Sequence, residues 1–182
     1  MVLSPSEAQK ILVESKEVVS DIVAIRNSLS SLFDEVQSYK ITRPVDDSHD
    51  YSLVGLEKMG EHLEGVLTSG DRIYDVATIS QKYLGQAQRL QSQLRDIHQN
   101  EYDGYVELLS KTYGHLSWEE RGSHYRLKTM STLSQLRKAD YEVIEIDAMC
   151  KALQSKLRVL LMAKDFYMTI VQIMRASQRL ES

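Results

Sequence analysis

Apolar residues return along this chain at steps of three and four, and no Val/Ile/Thr-rich run alternates at a step of two. That is the signature of amphipathic helices packed on one another, not of strands. The first stretch carries two overlapping seams: Ile11, Val18, Ile22, Ile25, Leu29, Leu32, Val36, and Leu12, Val19, Ile22, Leu29, Phe33, Val36. Together they form one wide apolar face, suited to packing against two helices at once. Ser4, Pro5 and Glu7 supply a cap, a first-turn proline and the third position of a capping box. The pattern ends near Tyr39, and a loop at 40–51 contains Arg43-Pro44, since a residue before proline is pushed out of the helical region.

A second segment, 52–69, is apolar at Leu53, Leu56, Met59, Leu63, Val66 and Leu67. Glycines recur in it at 55, 60, 65 and 70, each costing about 1 kcal/mol of helix stability relative to alanine. It is expected to be the least stable helix, with Ser69-Gly70-Asp71 as a stop and a new cap. A third helix, 71–113, follows the seam Ile73, Val76, Tyr83, Ala87, Leu90, Leu94, Ile97, Tyr105, Leu108 up to Gly114. Ser117 and Glu120 then form a second capping box and launch a fourth helix, 118–180. From Ser123 to Ser182 there is neither glycine nor proline, so this helix reads as unbroken, about 90 Å over those residues at roughly 1.5 Å each. Its later seam is Val143, Ile146, Cys150, Leu153, Leu157, Leu160, Tyr167, Val171, Met174. The expected fold is all-α, a single domain: an elongated antiparallel helical bundle or coiled coil with a long C-terminal helix. Val143, Ile146, Leu153, Leu157, Leu160, Tyr167, Val171 and Met174 are the expected oligomerisation seam of a homo-oligomer.

Composition adds a compartment. A hydrophobic share of 42% with 26% charged residues is that of an ordinary soluble domain. The longest apolar runs, such as Val159 to Ala163, fall far short of the ~18 residues of a membrane span. Glu7, Lys10 and Glu14 interrupt the first fifteen positions, unlike a secretory signal, and the one cysteine, Cys150, has no internal partner. A cytoplasmic protein is expected, in the host cytoplasm if the chain is viral, without membrane association.

Charge is distributed unevenly. Residues 1–120 hold 11 Lys+Arg against 20 Asp+Glu, a net of −9, and residues 121–182 hold 11 against 6, a net of +5. From Arg121 to Ala139 there is no acid at all. Trp118, Tyr125, Leu133 and Leu136 gather on one side of that helical stretch, and Arg121, His124, Lys128 and Lys138, with Arg126 and Arg137, border it. Basic residues around a stripe can hold phosphates, and Tyr125 is placed to stack on a base. The same residues can instead pair with the acids of the first 120 positions or of a neighbouring subunit. Ten tyrosines against two phenylalanines fit either use, since tyrosine serves partly wet interfaces.

Enzyme chemistry finds no foothold. None of the five histidines (49, 62, 98, 115, 124) follows a glutamate by three, so the bundle di-iron pattern is missing, and His98 with Glu101 is a lone pair. There is no glycine-rich phosphate loop, no G-x-S-x-G and no HExxH. Neither a metal nor another cofactor is expected, and Cys150 lies on an apolar seam as an inert thiol.

The last third of the chain resembles the recombination mediator family of T4-type bacteriophages. The likeness begins at Leu116-Ser117-Trp118-Glu119-Glu120-Arg121, passes through Leu127-Lys128-Thr129, and ends at Phe166 and Gln172-Ile173-Met174-Arg175-Ala176. It implies a small helical protein that assembles into rings, binds single-stranded DNA and helps load a recombinase onto strands coated by single-strand-binding protein. That family is basic and shorter, whereas this chain adds an acidic amino-terminal region. DNA contact therefore falls to Arg121, His124, Tyr125, Arg126, Lys128, Arg137 and Lys138. The alternative is a structural or adaptor protein of a virion or another assembly, with protein partners on its helical surfaces and no nucleic acid.

Overall fold

The computed structural model describes residues 5–39, 53–112 and 114–181. Regular structure among them is helical throughout: α1 (Pro5–Gln37), α2 (Leu53–Thr112), α3 (Trp118–Lys128) and α4 (Met130–Glu181). The fold is an all-α bundle with a long C-terminal helix, α4, of 52 residues. The expected cap at Ser4 and the loop 40–51 lie outside the described residues.

The helices form two compact units. One takes α1 up to Leu29, α2 from Lys82, all of α3, and α4 up to Asp147. Its core joins Val18, Val19, Ile22 and Leu29 of α1 to Ala87 and Leu94 of α2 and to Ala139, Val143 and Ile146 of α4. Here α2 and α4 run antiparallel, because Arg95 meets Asp140 while Glu101, further along α2, meets Thr132, earlier on α4. The two-seam face of α1 supplies this packing, as a helix flanked by two others requires.

The other unit takes α1 from Ser30, α2 up to Gln81, and α4 from Ala148. Val36, Met59, Val66, Ile73, Val76, Leu153, Leu160, Tyr167 and Met174 are buried in it. The Cys150 thiol donates to the Ser80 carbonyl at 3.3 Å, and the His62 and Tyr167 rings stack with centroids 6.1 Å apart. Lys156 of α4 donates to the Val36 carbonyl at 2.6 Å, supplying the cation that the last turn of α1 itself lacks.

Three expectations from the sequence need correction. Gly70 does not stop a helix, since α2 runs unbroken from Leu53 to Thr112. A Cβ at Gly70 would sit 2.9 Å from Leu160 Cδ2, so this glycine lets α4 approach α2, and packing outweighs its weak propensity. The fourth helix is not continuous over 118–180. Thr129 leaves helical geometry at φ −94° and ψ 10°, separating α3 from α4. The departure is confined to that residue: Thr129 Oγ1 joins the Thr129 amide on Tyr125 O, both at 3.1 Å, and the Leu133 amide still reaches Thr129 O at 3.0 Å. Finally, the seam assigned to oligomerisation is internal. Val143, Ile146, Leu153, Leu160, Tyr167, Val171 and Met174 are buried within this single chain and so are not free to meet a second copy, while Leu157 is half-buried.

Candidate nucleic-acid interface

The start of α3 is fixed by local chemistry. Ser117 Oγ accepts from the Glu120 amide at 3.3 Å, and the Glu120 carboxylate accepts from the Ser117 amide at 2.9 Å. These reciprocal bonds are the capping box expected from the sequence, and the Ser117 hydroxyl, donating to the Glu120 carboxylate at 2.8 Å, together with the Ser117 amide holds the Glu120 carboxyl below the usual range. The preceding turn needs Gly114, where a Cβ would lie 3.2 Å from the Ser110 carbonyl oxygen.

The residues expected to contact nucleic acid separate into two groups. Arg126, Lys128, Arg137 and Lys138 are exposed, and among the described residues no carboxylate lies within ion-pair distance of them. His124 is exposed as well. Tyr125 is not available: it is 2% exposed and packs edge to face on Tyr102 of α2, with centroids 5.8 Å apart. Its place on the apolar stripe puts it in the core, so the expected stacking role is corrected. Arg121 is half-buried, and its Nε–H is shielded from water without a hydrogen-bond partner. An unsatisfied buried donor costs about 1–3 kcal/mol.

The three acids that follow the tract on α4 are engaged elsewhere. Glu142, nearly buried, accepts from Arg26 Nε at 2.9 Å, and Glu145 lies 3.7 Å from the same nitrogen. Asp140 accepts from Gln91 at 2.6 Å and pairs with Arg95 at 3.3 Å. These acids are thus held by Arg26 of α1 and by Gln91 and Arg95 of α2, and the tract's own four exposed cations remain facing solvent.

Sequence reasoning missed Trp118 and Tyr141 as surface aromatics. Trp118 is 74% exposed, and Tyr141 stands exposed one turn beyond Arg137 and Lys138 on the outer side of α4. Met130, Ser134, Arg137, Tyr141 and Ile144 share that side at steps of three and four. The signal was present, since this row lies opposite Thr132, Ala139, Val143 and Ile146, all buried. The Tyr141 hydroxyl is held to Glu145, which raises its pKa.

Glu101 is buried, bonded to the Thr132 hydroxyl, whose oxygen also lies 2.9 Å from His98 Nδ1. Burial pushes the Glu101 carboxyl up, opposed by the Thr132 bond and by His98. A cleft of about 530 Å³ between α1 and α2 is lined by Glu7, Glu14, Asp103 and Glu107 against one cation, Lys10. Such a lining repels polyanions, so this cleft and the basic tract cannot serve the same ligand. Among the described residues there is no group of three or more metal-ligating side chains, and no helix is long and apolar enough to cross a membrane. No family model, no curated protein and no solved structure matches the chain.

Proposed function

We propose that this is a non-enzymatic, oligomeric helical protein that binds single-stranded DNA along α3 and the first turns of α4. In this reading it works in the cytoplasm, that of the host for a phage protein, and helps load a recombinase, as a recombination mediator does. The observation that carries it is the set of four exposed cations, Arg126, Lys128, Arg137 and Lys138, on an acid-free stretch with no ion-pair partner among the described residues. Unpaired cations release the counterions of a phosphate backbone on contact, and binding then weakens steeply with salt. The resemblance of Leu116 to Arg121 and Gln172 to Ala176 to the mediator family supports the finer assignment.

Fluorescence anisotropy of a labelled oligonucleotide tests the reading. Binding is expected at low salt, with log affinity falling by about 0.7 per log unit of salt for each phosphate contacted on a single strand. Substituting Arg126, Lys128 and Arg137 by alanine together is expected to flatten that slope by about two units. Absence of binding at low salt, or a slope unchanged by the triple substitution, refutes DNA binding.

A second reading, an adaptor that meets only protein, is favoured by one feature. Val159, Met162, Phe166 and Ile173 form an exposed apolar row on α4, at the three-four spacing of a helix-packing seam. Light scattering distinguishes the readings: the adaptor assembles without any affinity for oligonucleotide. Self-association through this row is expected to disappear in Met162→Glu/Phe166→Glu with helical content retained.

A further inference from the structure

We infer that Trp118 and Arg121 form a nucleotide subsite of the strand-binding surface, in which one base stacks on the indole and the adjoining phosphate meets the guanidinium. This rests on the proposed binding of single-stranded DNA and names the base contact which that proposal lacks now that Tyr125 is in the core.

Several independent features converge on α3. Trp118 is the only tryptophan of the chain and is 74% exposed, the largest apolar side chain left in water at the first position of a polar helix. Its backbone is held by the Ser117–Glu120 capping box, which fixes where on α3 the indole is displayed. Arg121 and Gly122 follow at three and four residues, hence on the same side of the helix as Trp118. A Cβ at Gly122 would meet nothing within 4 Å, so this side of the helix is open at Gly122. Tyr125, nearly two turns beyond Trp118, is buried against Tyr102, so the exposed part of this side ends before it. The result is an aromatic plate, an opening and a cation within about one helical turn.

Chemistry selects the ligand. An exposed indole face accepts any base, because every base has a π-face, and stacking of this kind is tolerant of sequence. The Nε–H of Arg121 has no acceptor, and a phosphate oxygen is the charge-assisted acceptor that suits a guanidinium best. Glu119 and Glu120 occupy the first turn of α3, which keeps phosphate off the helix terminus and leaves Arg121 as the cation nearest the indole along the chain. A base in a duplex cannot present its face, so the subsite takes an unpaired nucleotide.

The single tryptophan makes the test direct. Oligothymidylate is titrated into the full chain while Trp118 emission and the anisotropy of a labelled strand are followed in parallel, beside an abasic strand of equal length. The expected result is quenching of Trp118 that tracks anisotropy, with the abasic strand binding without quenching. Trp118→Ala is expected to weaken oligothymidylate binding by roughly tenfold, Trp118→Phe by less, and Arg121→Ala to weaken both strands. Circular dichroism checks that each variant keeps its helical content. A normal rise in anisotropy with unchanged Trp118 emission and unchanged Trp118→Ala affinity overturns the subsite and leaves strand binding standing. No anisotropy change with either strand removes both. An emission blue shift that follows protein concentration alone assigns Trp118 to a protein contact and also overturns the subsite.

Discussion

Gly70 and its neighbours in α2 offer a test of the packing in which two effects of similar size oppose each other. Replacing a mid-helix glycine by alanine gains about 1 kcal/mol of helix propensity. At Gly60 and Gly65 a new Cβ meets nothing within 4 Å, so that gain is realised in full. For a chain of this length it corresponds to a rise of about 2–4 °C in Tm for each substitution. At Gly70 the new Cβ falls 2.9 Å from Leu160 Cδ2, where carbon atoms prefer roughly 3.5–4.0 Å. Leu160 must retreat by the better part of an ångström, and it is buried, with little room to do so. Overpacking of this sort costs about 1–3 kcal/mol, which cancels or exceeds the propensity gain. Gly70→Ala is therefore expected to be neutral to destabilising while Gly60→Ala and Gly65→Ala stabilise. In a Leu160→Ala background, itself about 2–5 kcal/mol less stable, Gly70→Ala is expected to recover its gain. Thermal and urea unfolding followed by circular dichroism measure all of these. Equal stabilisation by alanine at 60, 65 and 70 refutes the close approach of α4 to Gly70, and no stabilisation at 60 or 65 refutes the continuous helix.

Two further predictions concern buried charge. Burial raises the Glu101 carboxyl above its unfolded value near 4.5, so the native state holds its proton more tightly than the unfolded chain does. That contribution is full below about pH 4.5 and is lost as pH rises through the native value, with Thr132, His98 and Tyr105 the polar groups around it. Glu101→Gln is accordingly expected to gain on the wild type in urea midpoint as pH goes from about 4 to about 7, and a pH-independent difference contradicts the assignment. The Arg26–Glu142 pair is 31% and 9% exposed at its side chains, so Arg26→Met strands a nearly buried carboxylate and is expected to destabilise by about 1–3 kcal/mol. Arg26→Met/Glu142→Leu is expected to restore most of that loss, and a silent Arg26→Met rules the pair out as a stabilising contact.

Much of the fold was legible because its signals are local. The three-four spacing of Ile22, Ile25, Leu29, Leu32 and Val36 gives a helix face, and Ser117 with Glu120 gives a helix start, whatever lies around them. Cys150 was placed on a buried seam for the same reason. The misreadings at Gly70 and Thr129 are of another kind. Gly70 has the local chemistry of a stop, and only the neighbouring Leu160 side chain explains why the helix continues. Thr129 has no local mark of a break, yet Thr129 and Thr132 reach back for backbone carbonyls beside the Glu101–Thr132 contact with α2.

The site residues divide by the same logic. Periodicity reports that Tyr125 and the Val143–Met174 row lie on an apolar side; it carries no label for what covers that side. In a chain whose helices α1 and α2 can do the covering, the first claim on such a row is internal, and Tyr102 against Tyr125 and Gly70 against Leu160 are the contacts that exercise it. A surface for partners must then be sought on what periodicity assigns to solvent. There the exceptions carry the information: an indole at Trp118, four cations without carboxylates, and an apolar row from Val159 to Ile173 on a side that should be polar. Arg126, Lys128, Arg137 and Lys138 were recoverable from the sequence because a charge rarely enters a core unpaired. Trp118 was not, because a tryptophan on an apolar stripe reads as buried until the stripe is seen to end before reaching it.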